Sequence, residues 1–178
     1  MIRIGVTGHR NLTDPLLISE SIQKVLEKIR RIVRNDNSET ADIIILSSLA
    51  EGADRIVARE ILAAPPSELE AVLPLEPAEY IKDFASGSSR REFRDFLQKA
   101  SKTHIVRQRS TRSEAYGQAG RFVVDNCDIL IAVWDGQAGR GKGGTADMVD
   151  YARKTGKPLF WINAANPTVI KEERIDGQ

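Results

Sequence analysis

The sequence contains a single cysteine, Cys127, and only two histidines, His9 and His104. One cysteine excludes an internal disulfide and is typical of a reducing compartment, so we expect a cytoplasmic protein. With so few thiol and imidazole groups, a zinc site of the usual histidine and cysteine type is disfavoured. We therefore expect neither a metal ion nor a bound cofactor.

Long apolar runs and an excess of charge of one sign are also missing. The apolar runs have the length of strands, far short of the roughly 20 residues of a membrane helix. Arg3 and Gly5 interrupt the apolar stretch that a signal peptide needs near its start. The formal net charge is +1 over 178 residues, so no overall field favours nucleic acid or an anionic membrane. We expect no membrane partner.

Apolar runs alternate with helical patterns along the whole chain. Alternation of this kind predicts an α/β protein, a Rossmann-like three-layer sandwich with a mainly parallel sheet of about six strands. We expect one domain over residues 1–166 and a polar tail over 167–178. The predicted strands are 2–6, 42–46, 71–75, 103–108, 128–134 and 158–162.

Helix starts can be read from capping residues. Asp14 precedes Pro15 as an N-cap residue. Ser48 with Glu51, and Thr111 with Glu114, have the spacing of a capping box. Right-handed crossovers place every loop that follows a strand at one edge of the sheet, where ligands of open α/β sheets bind.

One of these loops, "GRGKGGTADM" over 139–148, is rich in glycine and basic residues. Backbone N–H groups of such a loop form an anion cradle before a helix, with Arg140 and Lys142 as charge partners. A P-loop requires Ser or Thr at the position of Gly143, so we disfavour an ATPase. The first loop, "GVTGHR", lacks the third glycine of a dinucleotide fingerprint, which disfavours NAD chemistry.

Four stretches together resemble the SLOG superfamily, which includes the Lonely Guy phosphoribohydrolases and the SMF/DprA DNA-processing proteins. They are "GVTGHRNL", "SSLAEGADRIVA", "AYGQAGRFVVDNCDILIAVWDG" and "GKGGTADMVDYARKTGKP". The resemblance implies a nucleotide-binding, Rossmann-like domain. It also implies that the first loop and the glycine-rich loop hold the phosphate and sugar of the ligand, through Thr7, Gly8, His9, Arg10, Gly143, Gly144 and Thr145.

The sequence departs from this pattern at Met148. Lonely Guy enzymes have a glutamate there that takes part in cleaving the N-glycosidic bond. The nearest carboxylate, Asp147, is one residue earlier, about 100° around a helix. Deoxyribosyltransferases, a related fold, use a glutamate near a similar stretch. Asp147 is therefore the candidate catalytic residue. Favourable placement in a first helical turn and contact with ribose remain alternatives.

Further candidates for ligand binding lie in the same loops. Glu51 serves either as a helix cap or as a polar group of the binding crevice. Tyr116 either stacks on a base or belongs to the core. The remaining ligand-binding candidates are Ser47, Ser48, Asp135, Gly136 and Lys142.

A cluster of basic residues raises a nucleic-acid hypothesis, which we disfavour because acidic residues interleave and no aromatic ladder accompanies it. The cluster comprises Arg90, Arg91, Arg94, Lys99, Lys102, Arg107, Arg109 and Arg112. Our first hypothesis is a sensor domain for a nucleotide-derived small molecule, in a homo-oligomer. The alternatives are an N-glycosidic hydrolase or transferase acting on nucleoside monophosphates, and a DNA-binding accessory protein of SMF/DprA type.

Overall fold

The computed structural model describes residues 1–33, 42–106, 111–139 and 143–174. Within these ranges strands and helices alternate. The strands are β1 (Ile2–Gly8), β2 (Ile43–Ser47), β3 (Ser67–Leu73), β4 (Lys102–Ile105), β5 (Ile129–Trp134), β6 (Leu159–Asn163) and β7 (Ile170–Glu173). The helices are α1 (Pro15–Val33), α2 (Ala53–Leu62), α3 (Pro77–Tyr80), α4 (Gly87–Lys99), α5 (Arg112–Asn126) and α6 (Thr145–Lys154), with a 3-10 turn at Ile81–Asp83.

All the strands join one sheet in the order β4-β3-β2-β1-β5-β6-β7. Every neighbouring pair is parallel except β6 and β7, which are antiparallel. The predicted mainly parallel α/β sandwich is thus confirmed, with one strand more than expected. The additional strand, β7, lies inside the segment 167–178 that the sequence analysis treated as a polar tail. The last residues of that segment, 175–178, lie outside the described residues.

The sheet is covered on both faces, which explains why β2 and β5 are apolar throughout. Ile43 and Ile45 belong to a core shared with α1, α2 and α4, whereas Ile44 and Leu46 belong to a second core shared with α5 and α6. An alternating pattern would leave one face of the sheet polar. The uninterrupted pattern therefore indicates a three-layer architecture.

The order in which strands are added to the sheet reverses between β1 and β5. From β1 the chain adds β2, β3 and β4 on one side, and it then crosses over through α5 to place β5 on the other side of β1. The loops that follow β1 and β5 consequently diverge at the carboxyl ends of two adjacent parallel strands. This is the topological switch point at which open α/β sheets bind ligands.

Two of the three predicted helix starts are confirmed. The Asp14 carboxylate accepts a hydrogen bond from the backbone N–H of Leu17 at 3.0 Å, and Thr111 with Glu114 forms a complete capping box. The predicted box of Ser48 and Glu51 is wrong. The N-cap of α2 is Gly52, which has no side chain to accept a hydrogen bond. Helix α2 begins only at Ala53 because the preceding residues form a loop that packs on the first loop.

No helix in the described ranges is long and apolar enough to cross a bilayer.

Candidate functional site at the carboxyl edge of the sheet

The first loop is tied to the end of β5 through His9. Its backbone N–H donates to the carbonyl of Val133 at 3.0 Å. Its ring nitrogen Nε2 lies 3.2 Å from the backbone N of Asp135 and 3.1 Å from the Asp135 carboxylate. Hydrogen bonding, first from the backbone N–H of Gln137 and then from His9, lowers the pKa of Asp135. The structure therefore brings the predicted residues His9 and Asp135 together across the switch point.

The first loop is also in tight contact with the loop that precedes α2. The backbone N–H of Ala53 donates to the carbonyl of His9 at 3.1 Å. A Cβ on Gly8 would lie 2.4 Å from the Cβ of Ala53. Gly52 has a φ of 79°, and a Cβ there would lie 2.3 Å from the Arg10 carbonyl oxygen. Close approach and a left-handed backbone both require glycine at position 52. The sequence analysis missed Gly52, although a glycine directly before a predicted helix was a visible signal.

Arg10 projects from the first loop at the solvent-exposed edge. Its guanidinium carbon lies 5.3 Å from the ring centroid of Tyr116, a distance typical of a cation–π contact. The Tyr116 hydroxyl donates to Asp83, and its half-buried ring packs at 5.9 Å from the ring of Tyr80. Tyr116 therefore positions Arg10 and also extends the aromatic core beneath it.

The predicted residues Ser47 and Ser48 support a buried carboxyl group. Ser47 is fully buried; its hydroxyl lies 3.3 Å from Asp54 and accepts from the backbone N–H of Leu49 at 3.0 Å. Burial raises the pKa of Asp54 to about 6, and hydrogen bonds from Ala50, Ser47 and Ser48 partly offset that effect. The Ser47 hydroxyl thus links the Asp54 carboxyl group to the loop backbone at Leu49. Asp54 was not among the predicted residues, because an acid in the first turn of a helix gives no signal of burial.

The glycine-rich loop is described from Gly143 onward, and Lys142 lies outside the described residues. Gly143 has a φ of 82°, and a Cβ on it would lie 2.9 Å from the backbone N of Gly117 in α5. Gly144 is the N-cap of α6, and Thr145 is its first residue. The exposed carboxylate of Asp147 accepts a hydrogen bond from the Gly143 N–H at 2.7 Å. Asp147 thereby fastens the loop to the start of α6.

Met148 and Gly136 contribute to packing. Met148 is buried, and a Cβ on Gly120 would lie 2.4 Å from its sulfur, so helices α5 and α6 touch there. The position at which the resemblance places a glutamate is therefore part of the core. Gly136, with a φ of 83°, packs against the ring of Trp161.

A cleft of about 770 Å³ opens beside the switch point, between the first loop, α2 and α4. Four arginines and three carboxylates line it. They are Arg10, Arg55, Arg59, Arg91, Glu51, Glu92 and Asp95. The sequence analysis had predicted only Arg10 and Glu51 of these. The remainder lie on helices α2 and α4, which come together only in the folded chain.

The two helical walls of the cleft are joined by Arg55. This side chain is buried; its Nε donates to the Leu49 carbonyl at 3.0 Å, and its Nη1 donates to Ser89 and to the Glu92 carboxylate, at 3.0 Å for the latter. Ser89 also donates to Glu51, which makes Glu51 a second bridge between the walls. Glu51 is therefore a residue of the cleft and not a helix cap.

The predicted basic cluster divides into cations with different roles. Arg90 donates to the carbonyl of Phe84 at 2.8 Å, and Arg112 pairs with Asp83 at 2.6 Å. Arg91 faces the cleft instead. Among the residues that the structure describes, neither Arg91 nor Arg10 forms an ion pair, so both guanidinium groups are available to an anion. Arg107 and Arg109 lie outside the described residues.

Metal ligation has no evident place in this arrangement. Across the described ranges, no three side chains of His, Cys, Asp or Glu converge as ligands of one ion.

Comparisons with known proteins give a similarity of fold. No family model matches the sequence, and no curated protein matches it. A solved structure of DNA processing protein A from Helicobacter pylori, described with a unique single-stranded DNA binding mode, has a TM-score of 0.53 at 17% identity. The alignment covers 90% of this chain and 64% of that one, so this chain spans less than two thirds of that protein's length. The expected SMF/DprA-like architecture is thus confirmed at the level of the fold.

The same comparison corrects one expectation of the sequence analysis. Nucleic acid had been disfavoured as a partner because the net charge is near zero and acidic residues interleave with the basic cluster. A structural neighbour that binds single-stranded DNA overturns that exclusion. The physical reason is that net charge averages over the whole surface, whereas a binding cleft depends on the few cations that face it.

Proposed function

We propose that the cleft at the carboxyl edge binds single-stranded nucleic acid through its phosphates. The observation that carries this proposal is a pair of arginines, Arg10 in the first loop and Arg91 in α4, which line one cleft and form no ion pair within the described part of the chain. Arginine presents a planar fork of donors that matches phosphate oxygens. Two such groups that line one cleft suit a ligand with repeated phosphates.

The position of the cleft supports the proposal independently. Open α/β sheets bind ligands beyond the carboxyl ends of their strands, and the first loop at the switch point contributes Arg10 to the cleft. The fold similarity to a single-stranded DNA-binding protein supports the same class of ligand.

The local charge predicts a modest affinity. Four arginines and three carboxylates leave the lining with one positive charge in excess (4 − 3 = 1). Single-strand binding depends on salt with a slope of about −0.7 per neutralised phosphate. Two free arginines therefore predict a shallow salt dependence, and each arginine that is removed reduces the slope by about 0.7.

The test is titration of a fluorescently labelled oligothymidylate of about 15 nucleotides, a length within the range of single-strand binding sites. The protein variants are Arg10→Ala, Arg91→Ala and, as a matched control, Arg94→Ala. Arg94 is an exposed arginine of the same helix as Arg91 but does not line the cleft. We expect Arg10→Ala and Arg91→Ala to weaken binding about tenfold, as loss of a charge-assisted contact does. Arg94→Ala should bind like the wild type; equal losses in all three variants would refute a specific cleft.

A mononucleotide ligand is the second candidate, favoured by the volume of the cleft. About 770 Å³ lies within the range of roughly 300–1,000 Å³ that is usual for small-molecule sites. Competition separates the two candidates. If a nucleoside monophosphate displaces the oligonucleotide at concentrations near the oligonucleotide's own Kd, the single nucleotide is the unit that the cleft recognises. Displacement only by longer strands supports the first candidate.

A further inference from the structure

The Glu92 carboxylate occupies a position suited to an anionic ligand. One of its oxygens accepts from Nη1 of Arg55 at 3.0 Å, and the other accepts from Arg59. Both arginines belong to α2 and face Glu92 of α4 across the cleft. A carboxylate held between two guanidinium groups has the hydrogen-bonding geometry that a phosphate takes at such a site.

Arg55 retains hydrogen-bonding capacity at this point. Its side chain is 3% exposed, and its Nη2 has no hydrogen-bond partner among the residues that the structure describes. An unsatisfied buried donor is costly, and most buried polar groups are paired. A tetrahedral phosphate, with more acceptor oxygens than a carboxylate, could use the nitrogen that Glu92 leaves unpaired.

We propose that Glu92 is an internal competitor for phosphate, whose carboxylate occupies an anion subsite formed by Arg55 and Arg59. This inference deepens the proposed function and rests on the cleft being a phosphate-binding site. On arrival of a phosphate, Glu92 leaves both arginines and turns toward solvent, to which its half-exposed side chain already has access. Phosphate binding therefore competes with the two ion pairs by which Glu92 links α4 to α2.

A second carboxylate of the same helix provides a matched control. Asp95 lies three residues after Glu92, one turn further along α4, and lines the same cleft. Within the described chain it forms no ion pair. Neutralising Asp95 removes the same charge from the cleft but leaves Glu92 paired with Arg55 and Arg59.

The experiment compares Glu92→Gln and Asp95→Asn with the wild type, using two probes at constant ionic strength. One is the labelled oligothymidylate and the other is inorganic phosphate, followed by the rise in melting temperature. We expect Glu92→Gln to strengthen binding of both probes on the order of fivefold, and Asp95→Asn to change it less than twofold. Arg59→Ala combined with Glu92→Gln should abolish the gain. If Glu92→Gln does not fold, Glu92→Asp, whose shorter arm cannot span both arginines, is expected to give a smaller gain of the same sign.

The outcomes separate this inference from the proposed function. Equal gains from Glu92→Gln and Asp95→Asn, or no gain from either, would overturn the competitor role while leaving the proposed function to be decided by Arg10 and Arg91. A gain with inorganic phosphate but no binding of oligothymidylate by any variant would sustain the anion subsite and overturn the nucleic-acid proposal.

Discussion

Gly52 lies against the backbone of Arg10, so closely that a Cβ at position 52 would stand 2.3 Å from the Arg10 carbonyl oxygen. The loop that precedes α2 and the loop that follows β1 are thereby held as one unit. Because Arg10 and α2 both line the cleft, this backbone contact fixes the position of the first loop relative to α2.

Substitution of Gly52 by alanine should destabilise the protein. The added Cβ meets backbone atoms, which cannot rotate away, and the φ of 79° is unfavourable for a residue with a side chain. We expect a loss of about 2 kcal/mol or more in the free energy of unfolding, measured with urea. Gly87→Ala is the matched control, because the nearest atom to its Cβ is a flexible arginine nitrogen 3.7 Å away. A stable Gly52→Ala variant would contradict the tight contact.

Asp54 should make the protein more stable as the pH falls toward 5. Burial raises the pKa of this carboxyl to about 6, so the folded state holds the proton more tightly than the unfolded state, whose value is near 3.8. The cost of the buried charge is therefore fully present above pH 6 and is removed progressively as the pH falls from 6 toward 3.8. Relative to Asp54→Asn, which cannot titrate, we expect the wild type to gain on the order of 2 kcal/mol between pH 7.5 and pH 4.5. A difference between the two proteins that does not vary with pH would count against a buried, titrating Asp54.

Glu70 should have the opposite pH dependence. Two hydrogen bonds from Arg3, at 3.1 and 2.9 Å, and a contact of 2.7 Å with His104 hold the pKa of Glu70 below its usual 4.5. The folded state favours the charged form, so this stabilisation is complete above pH 4.5 and is lost as the pH falls through the lowered pKa. We expect Glu70→Gln to be about 2 kcal/mol less stable than the wild type at pH 7. The two urea midpoints should approach each other as the pH falls below 4.5; a gap that does not shrink in acid would show that packing, not charge, is responsible.

Asp147 should act as a structural acceptor rather than as a nucleophile. Its carboxylate accepts from the Gly143 N–H, and the neighbouring Met148 is buried in the core. We expect no release of free base from AMP, GMP, CMP or UMP, as followed by chromatography. Asp147→Ala should lose about 1 kcal/mol of stability, and Asp147→Asn, which keeps an acceptor oxygen, should lose less. Base release that disappears in Asp147→Asn would instead establish an N-glycosidase.

Much of the fold could be predicted because its determinants are local. Apolar runs without alternation are typical of strands covered on both faces, and the residues from Ile43 to Leu46 are indeed buried in two different cores. Asp14 and Thr111 mark helix starts because their side chains bond backbone groups only three residues away. That the loops carrying His9 and Asp135 share one edge of the sheet also followed from the sequence, since the ends of parallel strands share an edge, whereas their contact required β1 and β5 to be neighbours.

The cleft could not be predicted in the same way. Arg55 and Glu92 are 37 residues apart, and neither differs by type or spacing from the other charged residues of α2 and α4. Their pairing arises because both helices pack on one face of the sheet with their starts at the carboxyl edge. The capping-box spacing of Ser48 and Glu51 was misleading for a related reason. Whether a segment caps a helix or packs on another loop depends on which distant parts of the chain lie beside it in the folded protein.

The sequence by itself determined the parallel sheet, the edge at which its loops gather and the starts of α1 and α5, because each depends on patterns within a few residues. Tertiary structure alone decided that β7 joins the sheet, that Met148 is buried in the core and that Arg10 and Arg91 both line the cleft. These features depend on which distant side chains come into contact, and packing of whole helices and strands determines those contacts.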